Sequence, residues 1–153
     1  MTDERRDEAR QDLIELLRPG AGGVYALPGG VPADAVAQAA AAAGRRLIRL
    51  DASGAATKAA FLDRAAAALA LPAHFGRNWD ALHDSLTDDS VLPADAVLLV
   101  DGIDTLAAGD PGALATALDV IRAAADHWSE RGRPLLILMR PAEAAPGVAI
   151  AGP

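Results

Sequence analysis

Two short apolar runs limit what this chain can become. Ala96-Val97-Leu98-Leu99-Val100 and Leu135-Leu136-Ile137-Leu138-Met139 contain no polar residue at alternate positions. As strands, both must be buried on two faces. A strand covered above and below needs helices on each side, which is the α/β solution with a parallel sheet. The segments around them fit that frame. Leu47-Ile48-Arg49-Leu50-Asp51 reads as a further strand, and Val24-Tyr25-Ala26-Leu27 as a short β-like run. Helical periodicity is found over residues 3–18, 32–43, 57–71, 78–88 and 114–131. These helices stop at Pro19-Gly20, Gly44, Leu71-Pro72 and Arg131-Gly132-Arg133. The alternation predicts a small α/β domain whose parallel sheet has three strands, with a fourth available from residues 24–27. Residues 1–22 are expected to form a charged helix and linker. Residues 23–140 are expected as one domain, with 23–44 its leading extension and 45–140 its core. Residues 141–153 are expected as a disordered tail.

A chain of 153 residues suits one sizeable core. Hydrophobic residues make up 52% but aromatics only 3%, so that core should be helix-rich and thinly furnished with large side chains. There is no cysteine, which excludes disulfides and thiolate metal sites. The opening residues show no apolar leader, and no apolar run reaches the roughly 18 residues of a membrane span. A cytoplasmic protein is expected. The net charge of −7 argues against nucleic acid or an anionic membrane as a direct partner. That charge is unevenly placed. Between Arg77 and Arg122 there is no Lys or Arg, yet the interval holds nine aspartates.

The stretch from His74 to Asp89 concentrates this acidity on a foldable element. Gly76 is expected to make a turn at positive φ, and Asn78 to cap a helix with Asp80 in its first turn. Trp79, Leu82 and Leu86 then form an inward stripe. Asp80, Asp84 and Asp88 step by four along another face, where like charges repel by roughly 0.2–0.5 kcal/mol per pair. No cation on the same helix relieves them, so a basic partner is the natural complement. The spacing of Asp80, His83, Asp84 and Asp88 could also suit an oxygen-rich metal site or a carboxylate–imidazole acid/base pair. No second histidine cluster, no His-Glu-x-x-His and no Ser/His/Asp arrangement supports that use. The glycines at 20, 22 and 23 lack the Gly-Lys-Ser/Thr end of a phosphate loop. The reading is a binding protein, not an enzyme, with no cofactor and no metal.

Leu71-Pro72, Phe75-Gly76, Asn78-Trp79-Asp80-Ala81-Leu82 and Asp84-Ser85-Leu86-Thr87-Asp88 resemble the signature of barstar-type proteins, the intracellular inhibitors of barnase-like secreted ribonucleases. The resemblance is best over about residues 45–140. It implies that Asp84 is the central anion, entering the nuclease active site at a phosphate position, and that Asp80 is a second acidic contact. It also implies that His74 and Gly76 belong to a loop lying against the nuclease, and that His83 stands where the family has an aromatic contact. Arg77 at the rim, Asn78 and Asp88 complete the candidate surface. His74, His83 and Arg77 depart from the pattern, since the family carries aromatic residues at the first two positions and an acid at the third. The implied partner is a basic ribonuclease or related cationic toxin in a one-to-one complex, the free inhibitor being a monomer.

Overall fold

The two apolar runs lie side by side at the centre of a four-stranded parallel sheet. In the computed structural model, which describes residues 3–27, 30–72 and 75–141, the strands are β1 (Gly23–Ala26), β2 (Leu47–Asp51), β3 (Val97–Asp101) and β4 (Leu136–Arg140). Their order is β1-β4-β3-β2, with every pairing parallel. The leading segment therefore supplies the fourth strand. The helices are α1 (Asp3–Leu16), α2 (Ala33–Ala42), α3 (Lys58–Ala68), α4 (Trp79–Leu86), α5 (Ile103–Gly109) and α6 (Pro111–Glu130).

Because side chains alternate across a strand, β3 and β4 feed two separate cores. Val97, Leu99, Leu136 and Leu138 pack with Leu13, Leu17, Val36 and Ala40 on the α1–α2 side. Leu98, Val100 and Ile137 pack on the other side with Phe61, Leu82, Leu86, Leu106, Ile121 and Trp128. Each fully buried Leu or Ile contributes roughly 1.5–3 kcal/mol. Small alanines at 40, 65, 117 and 124, all fully buried, allow the helices to sit close to the sheet. Helix α1 joins this scheme near its end, through the buried Leu13 and the half-buried Leu16, with the buried Leu17 just beyond it.

Two elements differ from the sequence reading. Helix α5 was not anticipated: seven residues are too few for a hydrophobic period to declare itself. It begins at Gly102, whose φ of 73° lies in the left-handed region. A Cβ there would sit 2.6 Å from Ser53 Cα, so only glycine fits. Helix α6 starts at Pro111 rather than Leu114. The Asp110 side chain accepts from the Ala113 N–H at 3.0 Å, and Pro111 occupies the first helical position, where a missing donor costs nothing. The expected tail, from residue 142 onward, lies outside the described residues.

The charged residues that end the strands meet at one edge. Asp51, Asp101 and Arg140 lie in register across β2, β3 and β4. The buried Asp101 carboxylate accepts from Arg140 Nε at 2.6 Å and from an Arg49 guanidinium nitrogen at 2.8 Å. Arg140 also donates to the Val31 carbonyl at 3.2 Å, tying this ion cluster to the approach to α2.

Candidate functional site

Helix α4 is held at its start by its own residues. Asn78 Oδ1 accepts from the Ala81 N–H at 2.8 Å, and Asn78 Nδ2 donates to the Gly76 carbonyl at 3.1 Å. The positive φ expected at Gly76 falls instead on Arg77, at 45°. Gly76 has a different role: a Cβ there would crowd Asn78 Nδ2 at 3.1 Å, disturbing the side chain that makes the cap. Arg77 pairs with Asp63 of α3 at 2.6 Å. Both partners are more than half exposed, so this bridge contributes little to stability.

The apolar stripe forms as its spacing predicts, with Leu82 and Leu86 buried. Trp79 is only half-buried. Its ring lies 6.0 Å from that of Phe61, and Lys58 Nζ stands 5.9 Å above it. On the opposite face Asp80 and Asp84 are exposed, the Asp84 side chain to 86%. The nearest ion partner of Asp84 is His83, with Nδ1 3.9 Å from a carboxylate oxygen. That is too long for a hydrogen bond.

The third rung of the expected ladder is not on the helix. Helix α4 ends at Leu86, where the Thr87 hydroxyl donates to the His83 carbonyl at 2.8 Å. Asp88 lies in the turn beyond. One of its oxygens accepts from the Ser90 hydroxyl at 2.7 Å and the Ser90 N–H at 2.8 Å, and these bonds hold its carboxyl below the usual carboxylate range. Asp80 and Asp84 thus share the helix, whereas Asp88 and Asp89 stand at its foot. His74 lies outside the described residues.

Beside α4 runs an open groove of about 520 Å³, with Asp84, Asp88 and Asp89 along one wall. A cationic wall from the end of α6 and the residues just past it carries His127, Arg131 and Arg133. Sequence reasoning treated Arg131 and Arg133 only as helix-stop signals and did not bring them to the site. Trp128 joins the two elements, donating from Nε1 to the Leu86 carbonyl at 2.7 Å. A tryptophan in an inward stripe needs such a partner for its N–H, and that need was the signal available in the sequence. The His127 ring stacks edge-on against Trp128, with centroids 4.8 Å apart. Its partial burial, then Arg131 and His83 nearby, hold its imidazole below the ordinary histidine value, against the opposing pull of Glu130.

Among the described residues no cluster of three or more His, Asp or Glu side chains could hold a metal ion. No helix among them is long and apolar enough to cross a membrane. What the arrangement offers is a rigid helix presenting two carboxylates to solvent, with a groove of mixed charge at its foot.

Comparisons with known proteins bear on this geometry in different ways. No curated protein matches the chain significantly. Among solved structures, the Aeropyrum pernix ORC1 protein in complex with DNA matches with a TM-score of 0.55 at 20% identity. The match covers 91% of this chain and 39% of that one. At that identity the likeness shows a shared chain trace and nothing of function. The family model described as barstar, barnase inhibitor, matches residues 45–140. That span runs from just before β2 to the end of β4, and so takes in α4, the turn at Asp88 and the cationic end of α6. Three of the four strands, the capped acidic helix and the helix that braces it all fall within one continuous match, and the chain belongs to the barstar family.

Proposed function

We propose that this chain inhibits a basic ribonuclease by seating the Asp80–Asp84 face of α4 in the enzyme's cationic cleft. The observation that carries the reading is Asp84, 86% exposed on a well-anchored helix inside a match to a family described as barnase inhibitors. A carboxylate fixed in this way can stand in for an RNA phosphate and accept paired hydrogen bonds from arginine. The Asn78 cap, the buried Leu82 and Leu86, and the Trp128 bond to Leu86 fix α4 before any encounter. Little conformational freedom then remains to be lost on binding. In this reading Asp84 is the central contact and Asp80 the second. His83, Gly76, Arg77, Asn78 and Asp88 border them, and the complex is one-to-one. Inhibition is steric and electrostatic, with no chemistry contributed by the chain. A cytoplasmic inhibitor of this kind protects cellular RNA.

The test is calorimetric titration of catalytically inactive barnase with the natural chain, Asp84→Ala and Asp12→Ala. Asp12 is exposed on α1, which packs on the opposite side of the sheet. Asp84→Ala should cost at least about 2 kcal/mol of binding, the level that marks an interface hot spot. Asp12→Ala should leave the affinity where it was. Equal losses in the two variants refute the placement on α4.

A further inference from the structure

The groove at the foot of α4 has walls of opposite sign, yet among the described residues no ion pair crosses it. Its cations are held elsewhere. Arg131 donates to the His127 carbonyl at 3.1 Å, folding back on the end of its own helix. Arg133 lies over the Trp128 ring, with its guanidinium carbon 4.8 Å from the ring centroid. Trp128 is in turn fixed to Leu86, so the cationic wall and the acidic helix are parts of one braced unit. A guanidinium has five donors in a rigid fork. Arg131 uses one of them in the bond described and Arg133 is held by its face, so both retain a fork open to a carboxylate.

We propose that this cationic wall is a specificity element. It selects, among basic ribonucleases, one whose cleft is edged by a carboxylate that reaches Arg131 and Arg133, and it rejects one whose rim is cationic there. The inference rests on the reading of α4 as the inhibitory face and adds to it the charge pattern of the partner. A uniformly acidic surface would accept any cationic cleft. Two guanidiniums beside Asp84 and Asp88 instead place like charge against like at one edge of such a cleft, and that juxtaposition discriminates strongly between partners. His127 strengthens the effect whenever it is protonated, since it shares the wall with Arg131.

The experiment measures the affinity of catalytically inactive barnase, a strongly cationic probe, for four chains. These are the natural chain, Arg131→Gln/Arg133→Gln, Arg131→Glu/Arg133→Glu, and the last combined with Asp84→Ala. Far-UV circular dichroism and cooperative unfolding check that each is folded. The glutamine pair separates loss of the His127 and Trp128 contacts from the reversal of charge. The glutamate pair should bind at least about tenfold more tightly than the natural chain, with the glutamine pair between them. Adding Asp84→Ala should remove the gain. An unchanged or weaker affinity in the glutamate pair overturns the specificity element, and if Asp84→Ala still weakens binding the reading of α4 stands. Indifference to Asp84→Ala, or no binding by any of the four chains, overturns both.

Discussion

Asp101 is a carboxylate that burial alone would push towards its neutral form. The hydrogen bonds and charges of Arg140 and Arg49 outweigh that push and hold it below the ordinary carboxylate range. A group depressed in the folded state stabilises the fold at pH values above its unfolded pKa of about 3.9. That contribution is lost as pH falls through the lower folded value. Asp101→Asn removes the charge that the buried Arg140 and Arg49 both engage and should cost roughly 1.5–3 kcal/mol, the range for a hydrogen bond to a charged group. Urea unfolding at several pH values should show the variant losing less further stability below about pH 4 than the natural chain. A second titration probes the groove. Arg131→Gln should raise the His127 pKa towards its ordinary value in an NMR titration, because Arg131 is one of the groups that depress it. An unmoved His127 would show that Arg131 has no part in the depression. Neither site was legible in the sequence. Asp101 reads there as the polar end of an apolar run. Its partners lie 52 and 39 residues away and meet it only through strand register.

At the scale of elements, α4 depends on a cap and a brace. Asn78→Ala removes the side chain that accepts from Ala81 and donates to Gly76, and should cost about 1 kcal/mol in thermal or urea unfolding. Trp128→Phe keeps most of the buried ring but leaves the Leu86 carbonyl without its partner, a loss of about 1–3 kcal/mol. Because that bond lies between α4 and α6, hydrogen exchange in this variant should quicken first at the end of α4. Uniform acceleration across the fold would show that the bond supports the core and not the helix. Here the sequence was informative. The Asn78 cap and the Trp79, Leu82 and Leu86 stripe are local patterns, and the helix they announce is present. The failures are local too. Asp88 continues a four-residue step but is drawn off the helix by its bonds to Ser90. Helix α5 begins at a close approach to Ser53 that no period in the sequence announces.

At the scale of the whole molecule, the net charge of −7 and the exposed face of α4 should steer encounter with a basic ribonuclease. Stopped-flow association with inactive barnase should slow as salt rises, since exposed charges are screened beyond about 10 Å at 0.1 M ionic strength. A rate independent of salt would remove steering from the account. The sequence by itself determined the strands of the sheet centre, the α/β class, the family and the acidic helix. Each of these is written in the spacing of neighbouring residues, and a two-sided apolar strand or a capped helix needs no information from elsewhere. Only the tertiary structure decided that β1 lies beside β4, that two arginines converge on Asp101, and that Arg131 and Arg133 line one groove with Asp84. These depend on which distant segments the sheet order brings together. The Trp128 bond to Leu86 spans 42 residues, and a separation of that length leaves no periodic trace in a chain.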